Sequence, residues 1–226
     1  MKTIAVLSRK GGAGKTTVSV SLALAARQAG LKVVVADVDP LHSASEVLGR
    51  RAEASSLLFE TTAAKLFIVQ EVCAKNRCDL LIVDTPTAPE GDVILAVNAA
   101  DLCLAVARPT SLDLAAVKES VALIRRMRSS GLVVLNQCPP ARSGIESPFV
   151  QRAREALAAA GAPTAQALLR SRAAYQHAFA QQQGVTEWDP GSDAAVDVLK
   201  LLAEVSGLLL LPTAHENLGA PSRIAA

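Results

Sequence analysis

The sequence predicts an α/β fold with a predominantly parallel, twisted β-sheet and helices on both of its faces. Short runs of apolar and β-branched residues alternate with longer, alanine-rich amphipathic segments, which is typical of repeated βαβ units. Several short runs are apolar throughout, as strands covered on both faces must be. Half of the 226 residues are hydrophobic but only 3% are aromatic. This composition excludes a disordered chain and argues against an all-β sandwich.

The order of the elements follows from the same alternation. Strands are predicted at 3–7, 32–36, 57–59, 80–83, 102–107 and 132–136, and helices at 15–29, 63–75, 91–98, 112–129, 146–160 and 193–210. Gly30 and Gly131 lie where helices are expected to stop, Ser192 is placed to cap the last helix, and Pro212 ends it. We therefore expect a single domain over 1–211 and an unpacked tail over 212–226.

Charge and cysteine content exclude several protein classes. The chain has 23 Lys and Arg against 21 Asp and Glu, so its net charge of +2 does not by itself indicate a nucleic-acid-binding protein. Its apolar stretches are shorter than the roughly 18 residues of a spanning helix, and its first apolar run is too short for a signal peptide. The four cysteines lack C-x-x-C spacing, which argues against a zinc site and favours reduced thiols in a cytoplasmic protein.

The most informative motif is a glycine-rich loop between the first predicted strand and helix. A P-loop of the form G-x-x-x-x-G-K-[ST] would need glycine at position 9, which is Arg9 here, so the strict pattern is not met. The three glycines nevertheless leave room for backbone N–H groups around a phosphate. Lys15 can reach the β and γ phosphates, and the Thr16 hydroxyl can bind Mg²⁺ at the helix amino terminus. The predicted nucleotide-binding residues of this loop are Gly11, Gly12, Ala13, Gly14, Lys15, Thr16 and Thr17.

Carboxylates follow two of the predicted strands. Asp37 and Asp39 come directly after the second strand, where side chains point into the ligand crevice of an open α/β sheet. Asp84 ends the apolar run 80–83, as in a Walker B strand, and is expected to hold Mg²⁺ through water. The segment 85–89 that follows is expected to form a switch that responds to the nucleotide.

The loop resembles a known family of ATPases. Residues 10–17, KGGAGKTT, resemble the deviant Walker A motif K-G-G-x-G-K-T-T of the ParA/MinD family of P-loop NTPases. The resemblance implies ATP or ADP and Mg²⁺ as ligands, and a homodimer that forms on ATP binding. In that dimer Lys10 would reach the partner's phosphates and act electrostatically as an arginine finger does. Lys10, Lys15 and Asp39 are therefore the expected catalytic residues.

Further segments extend the resemblance over about residues 1–210. Asp37-Val38-Asp39-Pro40 resembles the switch I motif D-x-D-P, in which Asp39 would position the attacking water and Asp37 would support the water shell of the metal. Leu41 stands where the family usually has glutamine. Segments 108–113 and 184–195 also resemble family segments, and Asn136 falls where the family has an adenine-recognising asparagine. The predicted metal-site residues are Thr16, Asp37, Asp39 and Asp84.

Two kinds of surface are used by the family, and the sequence favours one. Binding to a membrane needs a terminal amphipathic helix with a basic face, whereas Leu211 is followed by Pro212 and a tail with one arginine, so no membrane partner is expected. Non-specific binding to double-stranded DNA needs only cations that neutralise phosphates. Arg170 and Arg172 are the first candidates because they lie near the basic residues of the family. The other clustered arginines are Arg152, Arg154, Arg125, Arg126, Arg128 and Arg142.

The resulting hypothesis is a cytoplasmic, nucleoid-associated ParA-type ATPase with slow basal hydrolysis. A ParB-like or cargo-adaptor protein would stimulate hydrolysis, and the cycle would segregate plasmid or chromosome DNA or position a protein assembly. Three alternatives remain: a metabolic or iron–sulfur ATPase of the nitrogenase iron-protein type, a MinD-like membrane-associated ATPase, and an interaction module with negligible turnover. The iron–sulfur alternative would need cluster cysteines, but Cys103 lies inside an apolar strand and Cys138 precedes two prolines.

Overall fold

Six parallel strands form the centre of the computed structural model, which describes residues 1–212. The strands are β1 (Lys2–Leu7), β2 (Val33–Asp37), β3 (Leu58–Glu60), β4 (Leu80–Asp84), β5 (Leu102–Ala107) and β6 (Gly131–Leu135). They pair in the order β3-β2-β4-β1-β5-β6, and every pair is parallel. The predicted parallel sheet is confirmed. The predicted tail beyond residue 212 lies outside the described residues.

Helices connect the strands. Those of ten residues or more are α1 (Lys15–Gln28), α4 (Leu66–Lys75), α5 (Glu90–Ala99), α6 (Ser111–Arg126), α7 (Pro148–Ala159) and α10 (Asp193–Leu209). All six match predicted segments. The shorter helices are α2 (Ser43–Leu48), α3 (Ala54–Leu57), α8 (Ala174–Ala180) and α9 (Val185–Trp188), and a 3₁₀ turn at Ala63–Lys65 precedes α4. The sequence did not predict these short helices because four to seven residues span at most two turns, too few to show a helical period.

Both faces of the sheet are covered, as the continuous apolar strands require. Alternate residues of β1 point to opposite sides, so Ile4 belongs to the cluster beneath α1 and α10, whereas Ala5 belongs to the cluster beneath α4, α5, α6 and α7. Helix α1 packs against both the sheet and α10, and its alanines are buried. Small side chains let the two helices and the sheet approach closely, which explains the alanine-rich composition.

The strand register aligns the acidic residues at the carboxyl ends of the strands. Asp37 is the register partner of Asp84, and Asp84 also lies opposite Val6 of the central strand. Since all strands run in the same direction, the loop that leaves β1 lies at the same end of the sheet as these acidic residues. The strand order reverses beside β1, which is where ligands bind in open α/β sheets.

The chain returns to the sheet beyond β6 in an extended segment. The Ala165 N–H donates to the Val133 carbonyl at 2.8 Å, and the Leu169 N–H donates to the Leu135 carbonyl at 3.1 Å. Cys138 and Arg170 form a further parallel bridge. This pairing places Arg170 at the far edge of the sheet, beyond β6.

Candidate nucleotide-binding site

The loop between β1 and α1 has the shape that its glycines predict. Gly12 and Gly14 have φ angles of 73° and 93°, a left-handed region that side-chain-bearing residues rarely adopt. A Cβ atom on Gly14 would collide with the side-chain amide of Asn136, whereas no atom lies within 4 Å of such an atom on Gly11 or Gly12. The loop is therefore packed at Gly14 and open at Gly11 and Gly12, as a cradle for a phosphate requires.

The amino terminus of α1 is not neutralised by the protein. Its N-cap is Gly14, which offers no side-chain cap, and its first turn contains no acidic residue. By contrast, side-chain oxygens of Thr110, Ser147 and Ser192 cap α6, α7 and α10. The unpaired N–H groups and the positive end of the α1 dipole thus face the glycine loop, where they favour an anion.

Lys15 lies at this helix end with a neutral partner. Its Nζ atom donates a hydrogen bond to Thr87 Oγ1 at 3.0 Å, and the residue is 9% exposed. No carboxylate lies within 4 Å of the Lys15 ammonium among the described residues. A hydroxyl is a weaker partner for a buried cation than a phosphate would be. Thr87 belongs to the predicted switch segment 85–89, so this contact joins the segment to the phosphate loop.

Asp84 forms the acidic part of the site. The hydroxyls of Thr16 and Ser19 each donate to one of its carboxylate oxygens at 2.8 Å. Burial raises the pKa of Asp84 to about 6, an effect that the two hydroxyls and Lys15 oppose and that the nearby Asp37 strengthens. A carboxylate beside a threonine hydroxyl is a donor set that suits Mg²⁺, since this ion binds through hard oxygen ligands.

The switch I residues are bonded chiefly to their own segment. One Asp37 oxygen accepts hydrogen bonds from the Ser45 N–H at 2.9 Å and the Ser45 hydroxyl at 2.8 Å, and the other accepts from the Asp39 N–H at 3.2 Å. An oxygen of Asp39 accepts from the N–H of Leu41 at 3.0 Å. Asp37 therefore anchors the start of α2, and Asp39 is held near the site while remaining half-buried. The Leu41 side chain, at the predicted departure from the family pattern, is 79% exposed.

The side-chain amides of two residues after β6 form hydrogen bonds with the glycine loop. Asn136 is buried, and its Nδ2 atom donates to the Ala13 carbonyl at 2.8 Å. Gln137 donates in the same way to the Gly12 carbonyl at 2.8 Å. In this structure Asn136 holds the loop, and adenine recognition by it stays a prediction.

An ion-pair network extends from the loop to two helices. Arg9 contacts Glu90 at 3.2 Å and Glu119 at 3.7 Å, and Arg126 contacts the same Glu90 oxygen at 3.1 Å. Hydrogen bonds from Arg9 and Arg126 hold the pKa of Glu90 below its usual range. Lys10, next in the chain, is half-buried and forms no ion pair with the described residues.

The residues at the carboxyl end of the sheet fit a magnesium-bound nucleoside triphosphate. The open glycine loop, the uncapped α1 terminus and Lys15 suit phosphates, while Thr16 and Asp84 suit the metal. The structure also adds residues that the motifs missed: Ser19, Ser45, Thr87 and Gln137. Ser19 had a signal, because it lies three residues after Thr16 on the same helix face. The other three are placed only by the tertiary fold.

The two arginines that were the first candidates for DNA contact are both paired with acids. Arg170 donates to both oxygens of Glu146, at 2.9 and 2.7 Å, and also to the Pro139 carbonyl at 2.6 Å. These bonds hold the pKa of Glu146 below its usual range. The charge of Arg170 is therefore largely compensated inside the fold, and its contact with DNA stays a prediction.

The remaining candidate arginines differ in their partners. Arg172 donates to Asp193 at 3.0 Å and to Asp197 at 3.4 Å, so it is also compensated. Arg154 donates to the Gln166 carbonyl at 2.7 Å. Arg152 is exposed, lies over the ring of its neighbour Phe149 and pairs with no carboxylate among the described residues. Which of these arginines contact DNA stays a prediction.

Sequence comparison finds relatives over most of the chain. Residues 4–206 match the model of the CobQ/CobB/MinD/ParA nucleotide binding domain. The chain is 34% identical over 191 residues to the maintenance of carboxysome distribution protein A of Gloeobacter kilaueensis, covering 83% of this chain and 85% of that protein. The protein of the same name from Halothiobacillus neapolitanus is 27% identical over 214 residues, covering 90% of this chain and 95% of that protein.

Solved structures of low sequence identity share the fold. The cell division ATPase MinD of Pyrococcus furiosus superposes with a TM-score of 0.73 at 21% identity, covering 92% of this chain and 99% of that one. Apo McdA of Cyanothece gives 0.72 at 20% identity, covering 90% and 98%. MinD of Pyrococcus horikoshii with bound Mg-ADP gives 0.74 at 19% identity, covering 92% and 97%. Separately, no helix among residues 1–212 is long and apolar enough to cross a membrane.

Proposed function

Because the chain belongs to the CobQ/CobB/MinD/ParA family of nucleotide-binding proteins, we propose that it is a ParA-type ATPase that positions a cargo on DNA. Members of this family are P-loop ATPases, which supports nucleotide hydrolysis in general. The observation that carries the proposal is the arrangement at the start of α1, where Lys15 meets only a neutral hydroxyl and Thr16 meets Asp84. Each of these contacts can exchange for a ligand atom without leaving a buried charge unpaired.

The roles of the site residues follow from this arrangement. Bound ATP with Mg²⁺ supplies the phosphoryl group and the metal that neutralises its charge. Lys15 turns from Thr87 to the phosphates, and this releases the switch segment that Thr87 belongs to. Thr16 and Asp84 would hold the metal. Asp39 orients the attacking water, for which its half-buried position near the loop is suitable.

Dimerisation is the proposed consequence of ATP binding. Lys10 lies beside the phosphate loop and has no acidic partner within the described residues, so its charge is available to the phosphates of a second copy. A cation supplied in trans would make hydrolysis depend on the dimer. A ParB-like or cargo-adaptor protein would then act on the dimer by stimulating hydrolysis, which separates the subunits.

Non-specific DNA is the proposed matrix, and a protein assembly is the favoured cargo. Arg152 is an exposed cation without a carboxylate partner among the described residues, and Arg154 lies two positions further along the same helix. Arg170 and Arg172 add charge only if their acid partners release them. A dimer doubles this modest charge, which makes DNA binding depend on ATP. Similarity to two carboxysome distribution proteins supports a protein cargo over a plasmid. The protein would then be cytoplasmic and bound to the nucleoid.

ATP-dependent binding to random-sequence DNA tests the proposal. We expect ATP with Mg²⁺, but not ADP, to produce salt-sensitive DNA binding and a dimer in sedimentation. Lys10→Ala should abolish both while leaving ATP binding to the monomer intact. Lys200→Ala, which removes an exposed lysine on α10, is the matched control. Equal DNA binding with and without ATP, or a fully active Lys10→Ala variant, would contradict the mechanism.

A further inference from the structure

A cavity of about 570 Å³ lies beside the amino-terminal end of β2, at the end of the sheet opposite the phosphate loop. It borders the start of β2 and is lined from one side by Arg27 of α1 and Ser55 of α3, and from the other by Val72 of α4. Helices α1 and α4 cover opposite faces of the sheet. A single cavity that reaches both faces must lie beside the sheet, where a further strand segment would otherwise be.

The short length of β3 produces this opening. Residues Leu58–Glu60 pair with β2 only from Val35 to Asp37, because the preceding residues form α3 and leave the plane of the sheet. The first two residues of β2, Val33 and Val34, therefore have β4 on one side and no strand on the other within residues 1–212.

The backbone of Val33 faces this open side. The Lys32 N–H donates to Asp79 Oδ2 at 2.8 Å, and the Lys32 carbonyl accepts from the Asp79 N–H at 2.8 Å, so both groups of Lys32 point toward β4. Backbone polar groups alternate in direction along a strand, so the N–H and C=O of Val33 point toward the cavity. An unpaired edge of this kind is a template for another strand.

The side chains around the edge define the chemistry of its occupant. Phe59, Val72 and Val34 line the cavity and supply its apolar surface. Val34 and Phe59 also belong to the apolar cluster beneath α4. Arg27 and Lys32 also line the cavity, and neither forms an ion pair with the described residues. The site thus combines backbone groups that select an extended chain with apolar walls and two positive charges, of which Arg27 also lies near enough to Glu53 to help lower the pKa of that carboxyl.

We propose that this open edge binds an extended peptide segment of a partner protein, with alternating apolar residues and an acidic flank, that continues the line of β3. Backbone pairing to Val33 holds the segment in register, and apolar side chains of alternate residues enter the cavity. The acidic flank meets Arg27 and Lys32. The site shares no residue with the phosphate loop, so the proposal does not depend on the proposed ATPase cycle.

Selection from a phage-displayed library of random heptapeptides tests the proposal on the full chain. We expect enrichment of peptides with acidic residues next to alternating Val, Ile or other apolar residues. A synthetic copy of the dominant peptide should slow hydrogen exchange at the Val33 amide. Methylating the peptide nitrogen that pairs with Val33 should weaken binding about fivefold or more, because it removes one backbone hydrogen bond.

Three variants connect binding to this edge. Ser56→Trp places a large side chain in the cavity from an exposed position and should abolish binding, and Lys32→Glu should weaken binding to acidic peptides. Lys200→Glu, an equal charge change on α10, should leave peptide binding unchanged. Val33→Pro removes the N–H that points toward the cavity. If this variant does not fold, Ser56→Trp and Lys32→Glu still test the proposal.

The outcomes are distinguishable from those of the ATPase proposal. All surface variants should retain ATP-dependent DNA binding, whereas Lys10→Ala should retain peptide binding. Peptides that bind wild type and Ser56→Trp equally, or a selection with no enrichment, would overturn the inference. It would also be overturned if the cavity bound only an amphiphilic carboxylate such as decanoate, with no protection at Val33.

Discussion

Two cations of this protein, Lys15 and Arg170, show how one fold treats charge in two opposite ways. Lys15 lies at the uncapped end of α1, and its single side-chain hydrogen bond is to the neutral Thr87 hydroxyl at 3.0 Å. Arg170 lies beyond β6, where Glu146 accepts from both ends of its guanidinium at 2.9 and 2.7 Å. Both cations are mostly buried, but of the two only Arg170 is hydrogen-bonded to a carboxylate among the described residues, and Lys15 interacts with Asp84 at longer range.

The difference separates an exchangeable partner from a permanent one. A paired guanidinium and carboxylate of this geometry resist separation, because either group alone would stay partly buried and charged. An ammonium bonded to a hydroxyl loses little when a phosphate replaces that hydroxyl. Lys15 therefore has a neutral partner that a ligand can replace, whereas Arg170 joins the segment after β6 to Glu146. The sequence pointed to both residues as functional, and both roles stay predictions.

Removing the Lys15 charge should give the largest effect. Lys15→Ala is expected to lower the rate of ATP hydrolysis about 100- to 1,000-fold, because a preorganised cation at the developing charge is lost. Phosphate release by the full chain, with DNA present, measures this. The free energy of unfolding should fall only modestly, because Asp84 loses a nearby positive charge but keeps its hydrogen bonds from Thr16 and Ser19. A variant with near-normal turnover would remove the distinction between the two cations.

The loop that carries Lys15 should be the next most sensitive. Gly14→Ala forces a side chain into a left-handed conformation and against the Asn136 amide, so we expect a loss of about 3 kcal/mol in unfolding free energy. Gly11→Ala is the matched control, because its added methyl meets open space. It should shift the unfolding free energy by less than about 0.5 kcal/mol. Denaturant titration measures both, and equal effects would show that Gly14 is not packed as described.

Removing Arg170 should reverse the pattern of Lys15. Arg170→Met is expected to lower the unfolding free energy by about 2 kcal/mol, because Glu146 loses its charge-assisted hydrogen bonds. The side chains of Arg170 and Glu146 are only 15% and 27% exposed, respectively. ATP hydrolysis without DNA should be unchanged. A stable Arg170→Met protein with impaired DNA binding would instead restore Arg170 as a DNA contact.

The pH dependence of the same pair gives an independent check. Arg170 lowers the pKa of Glu146, so the stabilisation is complete above the ordinary glutamate pKa of about 4.3 and is lost as the pH falls through the lower folded value. In wild type, stability should therefore decline on acidification below about pH 5. In Arg170→Met this part of the decline should be absent, which denaturant titrations between pH 3 and 7 would detect.

Much of the fold was predictable because it follows from local patterns. The six strands were predicted to within one residue at each end, since a buried parallel strand must be apolar throughout. The order of the acidic and glycine segments along the chain also fixed which residues would meet, because carboxyl ends of parallel strands share an edge. The short helices α2, α3, α8 and α9 carry no comparable pattern, and tertiary packing forms them.

The sequence by itself determined the parallel sheet, the phosphate loop and the position of Asp84, because each depends on residue type at close spacing. Tertiary structure alone decided the partners of the charged groups. Whether an arginine is free or paired depends on residues far away in the chain, such as Glu146, which lies 24 positions before Arg170. Likewise, the open edge at Val33 arises from the three-residue length of β3, which local propensity does not set. Long-range electrostatics and strand pairing are properties of the folded chain, and motifs do not encode them.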